Sequence, residues 1–169
     1  MLKKDLIAHL NDYLNIKGYE DSSKNGLQVD VDKENIRKIA FSVDATTYLI
    51  DRAIHENADL LIVHHGMFWG HEKVITDLHF ERTSRLIKNN IGLYAAHLPV
   101  DAHSEVGNNI ELIRAFIRYF NIEKYTLQPF GEYHGETIGF GIRFADHIPF
   151  DQLELFCRQN KLLPEIYNF

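Results

Sequence analysis

The sequence predicts an α/β fold, a mostly parallel sheet flanked by helices. KIAFSV (38–43), DLLIV (59–63) and IGLYAAH (91–97) are short apolar runs without alternation, the pattern of strands buried on both faces. Segments of helical periodicity separate and follow them, so strand and helix take turns along the chain. The 169 residues, 45% of them apolar, are enough for one domain, or one and a half, with a packed core.

The elements follow in order. Leu2, Leu6, Ile7, Leu10, Tyr13 and Leu14 recur at helical spacing, so the chain opens with an amphipathic helix. Asn25-Gly26, inside KNGLQV, reads as a turn. After the first strand, Thr46 or Thr47 caps a helix running to about Asn57. A helix around 77–89 joins the second strand to the third, and another, near 106–120, completes the pattern. Beyond about Tyr125 the character changes. GETIGFGIRF (135–144) alternates and is rich in glycine, which predicts an antiparallel or edge strand, and Pro149 with Asp151 opens a helix to about Lys161. The division expected is an α/β lobe over 1–125 and the beginning of a second, truncated subdomain over 126–169.

Composition excludes several classes. The net charge is −6 and the 18 Lys and Arg are scattered, whereas a nucleic-acid binder concentrates a basic stripe, so no direct nucleic-acid partner is expected. Apolar runs fall far short of the roughly 18 residues of a membrane span. The opening MLKKDLIAHLNDYL is broken by acids and His9 and is no signal peptide, which leaves no membrane partner and the cytoplasm as the default compartment. Cys157 is the sole cysteine, so thiolate clusters and intrachain disulfides are out, and on a predicted helix it reads as a packed residue. No GxGxxG, Walker loop or GxSxG is present.

The polar residues then fall into place. Asp44 follows the first strand, His64-His65 the second, and His97 with Asp101 the third. All sit at carboxyl ends of strands expected to be neighbours, where open α/β sheets bind ligands. Successive residues of an extended strand point to opposite faces. Adjacent histidines therefore share one ion only if the chain bends at Gly66; otherwise each holds one metal of a pair roughly 3.5–4 Å apart. Asp101 adds a carboxylate, which suits hard or borderline divalent ions. His9, His55, His71, His79, His134 and His147 read as surface or hydrogen-bonded residues. Asp44 reads first as a helix cap, with ligand or site neighbour as alternatives. His103 either orients a ligand through its second nitrogen or faces water. Phe68 and Trp69 either wall a pocket or cover an edge. Gly107-Asn108-Asn109 reads as simple helix capping ahead of an anion site.

KNGLQV, ADLLIVHHGMFWG and LYAAHLPVDAHSEVGNN, in this order and spacing, resemble the Nif-three-like dinuclear metal family, also called GTP cyclohydrolase 1 type 2 homologues. The resemblance covers about residues 1–125 closely and the tail more loosely. It implies a two-lobed α/β protein with two divalent metals per complete subunit (Zn, Mn, Fe or Ni) in a cleft, assembled as a ring-shaped homohexamer. His64, His65 and Asp101 match metal ligands of the family pattern, and His97 a ligand or immediate neighbour. The family's remaining histidine and glutamate, in a GHxxTE-like motif, have no counterpart here, so the sequence looks like the N-terminal portion of a longer protein. The implied activity is metal-dependent hydrolysis of a nucleotide-like substrate. Water activated by the metals attacks the imidazole-ring carbon of guanine, with ring opening and loss of formate, while His97 or His103 shuttles protons. The alternatives are a non-catalytic metal-binding scaffold or interaction protein and a dimetal phosphoesterase.

Overall fold

The three apolar runs form parallel strands, in a computed structural model that describes residues 1–71, 74–145 and 147–162. Helix α1 (Lys3–Tyr13) precedes a short strand β1 (Gly26–Val29), after which β2 (Ile39–Asp44), α2 (Thr47–His55), β3 (Leu60–His65), α3 (Asp77–Lys88) and β4 (Gly92–Ala95) alternate as expected. The sheet order is β1-β4-β3-β2. β2, β3 and β4 run parallel, with Asp44 beside His65 and Val63 beside Ala95. The N-terminal run adds a strand the sequence reading lacked. Gly26, at φ +104, makes the predicted turn, and GLQV then pairs antiparallel to β4, Gly26 against Ala95.

Each face of this sheet packs against helices. On one face Leu61, Val63, Leu93 and Ala95 meet Ile50 and Ala53 of α2 and Leu86 of α3. On the other, Leu60, Tyr94 and Ala96 meet Leu6 of α1. Tyr94 is fully buried, and burial pushes its hydroxyl above the usual tyrosine range, while that hydroxyl donates to Asn11 Oδ1 at 3.0 Å. Thr46 caps α2, its hydroxyl accepting from Leu49 N at 3.2 Å.

After β4 come a single turn α4 (Leu98–Asp101) and α5 (Asn108–Phe120), then a hairpin of β5 (Tyr125–Tyr133) and β6 (Glu136–Phe144), and α6 (Phe150–Gln159). β6 is the antiparallel strand that alternation predicts; its partner β5, interrupted by Pro129 and Gly131, is an addition to the expected elements. His134 and Gly135, both at positive φ, make the two-residue turn of a twisted hairpin. Phe116 and Phe120 of α5, Phe144 of β6 and Phe156 of α6 form one aromatic cluster. Cys157 is half-buried on α6. Among the described residues no helix is long and apolar enough to cross a membrane.

At the opposite end of the strands from the histidines, Asp59 ties the start of β3 to the preceding loop. Its carboxylate, 14% exposed, accepts from Lys33 Nζ at 2.6 Å and from the backbone N–H groups of Arg37 and Lys38 at 2.7 and 3.0 Å. Burial alone would push this carboxyl up, but the ammonium and the two N–H donors together bring it from 3.8 down to about 2. A depressed folded-state value contributes stability that is present above the unfolded value and lost as pH falls through the folded one. We expect Asp59→Asn to cost about 2 kcal/mol near neutral pH in urea unfolding. The difference from wild type should shrink as pH drops from about 4 toward 2. A gap that stays constant over that range would show that ionisation is not what matters there.

Candidate metal centre

The parallel register brings the carboxyl ends of β2, β3 and β4 to one edge, and three imidazoles meet there. One ring nitrogen from each of His64, His65 and His97 lies within 4.8 Å of the others. The ring centroids are 4.6 Å apart for His64 and His65, 4.9 Å for His64 and His97, and 5.6 Å for His65 and His97. The adjacent histidines therefore do converge, at the last two positions of β3. Gly66, next in the chain, has no room for a side chain: a Cβ there would lie 2.4 Å from Gln28 Nε2 and 2.6 Å from Ala95 Cβ.

Each imidazole has its Nδ1 engaged by an oxygen. His64 Nδ1 lies 3.1 Å from Ala96 O, His65 Nδ1 2.8 Å from Asp44 Oδ1, and His97 Nδ1 3.1 Å from both oxygens of Asp21. A carbonyl or carboxylate oxygen only accepts, so each Nδ1 carries the hydrogen and each neutral ring keeps its Nε2 lone pair. Metal-ligating histidines have this arrangement, one nitrogen donating to an oxygen and the other bare.

Asp101 approaches from the His64 side, its Oδ1 3.5 Å from His64 Nε2, and accepts from Asn108 Nδ2 at 2.9 Å. With the hydrogen of His64 on Nδ1, its Nε2 lone pair faces a carboxylate, an arrangement a cation between the two would relieve. Two donors on one tetrahedral ion lie roughly 3.3 Å apart, close to the separation seen. The converging group is the three imidazoles, with Asp101 beside His64 and outside the trio, and such nitrogen donors with a carboxylate at hand fit a borderline divalent ion.

The structure revises several expectations. Asp44 does not cap α2, since Thr46 does so; its carboxylate holds His65 instead. His97 stands among the converging imidazoles, as the third member of the group. His103 points elsewhere. Its Nε2 donates to Tyr13 O at 2.9 Å, and its Nδ1 accepts from Glu105 N and Val106 N at 3.1 and 3.3 Å, so neither nitrogen is open to carry a substrate proton. Trp69 walls the cluster edge-on to His97, with ring centroids 4.9 Å apart. Phe68 instead packs on the core and against His79. Gly107 is the N-cap of α5, while Asn108 donates to Asp101 and Asn109 to Ile138 O. Asp21, which sequence reasoning passes over, is the most deeply buried acid in the group, with 2% of its side chain exposed. Its only local signal is a polar turn sequence, EDSSKNG.

Known proteins are similar to this chain in sequence and architecture. The sequence profile of Duf34/NIF3 (NGG1p interacting factor 3) matches residues 1–163. A Pyrococcus horikoshii protein named GTP cyclohydrolase 1 type 2 homolog is 46% identical over 149 residues, 88% of this chain and 57% of the relative. A Deinococcus radiodurans protein of the same name is 44% identical over 137 residues, 81% of this chain and 49% of the relative. The chain thus spans about half the length of these curated relatives. Among solved structures, a Thermus thermophilus protein superposes with a TM-score of 0.78 at 38% identity, over 94% of this chain and 61% of that one. Reduced HcgD from Methanocaldococcus jannaschii shares the fold, with a TM-score of 0.71 at 22% identity, over 94% of this chain and 60% of its own.

Proposed function

We propose that this chain, which belongs to the Duf34/NIF3 family, holds a divalent metal ion and serves a metal-dependent hydrolase acting on a purine nucleotide. The observation that carries it is the trio of imidazoles with Nδ1 occupied and Nε2 bare. The relatives' name, GTP cyclohydrolase 1 type 2 homolog, supports the substrate class. In the proposed site His64, His65 and His97 supply nitrogens and Asp101 an oxygen. A bound ion would supply Lewis acidity and a water of lowered pKa.

The chain's own residues prepare the site. Ala96 O, Asp44 and Asp21 fix the three rings. Asn108 steadies Asp101. Trp69 closes one side and presents an indole beside His97 against which a planar base can lie. Four donors suit a single ion; the two-metal centre and the hexamer implied by the family resemblance belong to the proposal for the whole protein. Self-association is supported by β2, an edge strand on which Phe41 and Val43 are 74% and 60% exposed.

The test is incubation with GTP and added Zn, Mn, Fe or Ni, with formate and phosphate measured together. Formate release that requires metal and disappears in His65→Ala is the expected result. Phosphate without formate would make the protein a phosphoesterase, and bound metal with no turnover would make it a scaffold.

A further inference from the structure

The motif KNGLQV and the polar turn before it take no part in the donor set, yet they touch both turns that carry it. His97 sits between β4 and α4 with φ −95 and ψ −103, outside the populated backbone basins. A backbone held there needs its surroundings to impose it. Asn25 Oδ1 accepts from His97 N at 2.8 Å, and Asp21 Oδ2 accepts from Leu98 N at 3.1 Å. Both oxygens of Asp21 also reach His97 Nδ1. Gln28 serves the other turn. A bulge in β1 places it out of register with β4, and its Oε1 accepts from Met67 N at 2.7 Å, just past His64-His65-Gly66.

Asp21 is itself tightly held. Asn25 Nδ2 and Ser23 N each donate to it at 2.9 Å. Burial, the largest single influence, pushes its carboxyl up, but the donors from Asn25, Ser23, Leu98 and His97 together bring it below the usual carboxylate range. A turn-forming aspartate needs only the Ser23 contact. The reach to His97, 76 residues away in sequence, serves something more.

We propose that Asp21 is a positioning residue: it holds the hydrogen of His97 on Nδ1, so that the bare Nε2 faces His64 and His65, and with Asn25 it imposes the backbone kink that aims the ring there. A neutral imidazole takes the tautomer that its hydrogen-bonded nitrogen dictates. The metal-related consequence rests on the function proposed above; the tautomer does not. Partners of this kind are worth about 10–100-fold in metal affinity.

The experiment records long-range ¹⁵N–¹H correlations of the histidine rings in metal-free protein at about pH 8, above the ordinary imidazole range. Wild type and Asp21→Asn are compared, with urea stability and zinc affinity measured alongside. Expected is an Nδ1-protonated His97 in wild type. In Asp21→Asn the His97 proton should move wholly or partly to Nε2, zinc affinity should fall about 10–100-fold, and His65, held by Asp44, should keep its tautomer. Loss of stability with the His97 tautomer unmoved would make Asp21 merely structural and overturn the proposal. An Nε2-protonated His97 in wild type would overturn it even if the variant does not fold. Absence of zinc binding in wild type, together with the tautomer shift in Asp21→Asn, would leave the positioning role standing and remove the metal reading instead.

Discussion

Replacing His65 by alanine should lower divalent-metal affinity by about 100-fold or more, since loss of a donor costs at least what loss of its supporting partner does. His65 lends one of the three nitrogens that lie within 4.8 Å of one another, and Asp44 holds its ring by Nδ1. His97→Ala should have a comparable effect, because that ring belongs to the same trio. His134, in the hairpin turn between β5 and β6, is the control, and His134→Ala should leave metal content unchanged. Elemental analysis of protein purified without chelator measures all three. Equal loss in the His134 variant would mean that the substitutions disturb folding, and retention of metal in both site variants would remove the trio as a metal centre.

Leu93→Ala should destabilise the protein by roughly 2–5 kcal/mol. Leu93 is 0% exposed at the centre of β4, beside Val29 of β1 and Leu61 of β3. Truncation removes apolar contacts and leaves a cavity that surrounding strands on both sides cannot easily close. β4 also leads directly into His97, so looser packing there should weaken metal binding as well. Urea unfolding reads the first effect. A change below about 1 kcal/mol would mean that the site collapses around the smaller side chain.

The parts of the fold visible in the sequence are those whose signal is local. β3 and β4 announce themselves as apolar runs, because strands buried on both faces need no alternation. β2 reads the same way in sequence, but it is an edge strand whose Phe41 and Val43 are exposed rather than buried. The carboxyl ends of β3 and β4 then bring His64, His65 and His97 to one edge, with Asp101 beside His64. β1 is hidden because four residues after a turn carry little periodicity, and its pairing with β4 is settled by tertiary contact. β5 is hidden by Pro129 and Gly131, which read as loop residues but sit within a strand of a two-stranded sheet.

The supporting polar groups are harder still to read. Asp44 meets His65 across 21 residues and Asp21 meets His97 across 76, and no spacing rule connects such pairs. Asp44 misleads because a carboxylate just ahead of a helix resembles a cap, a role Thr46 fills two residues later. His103 misleads by its nearness to Asp101 in sequence; the turn after α4 directs its ring to Tyr13 O and to backbone N–H groups instead.

Anomalous scattering at the zinc edge, from crystals of the protein grown with zinc, tests the metal centre most directly. Expected is a peak about 2.0–2.1 Å from Nε2 of His64, His65 and His97, with their Nδ1 atoms still on Ala96 O, Asp44 and Asp21. Zinc bound only elsewhere, or reached through Nδ1 of these rings, would contradict it.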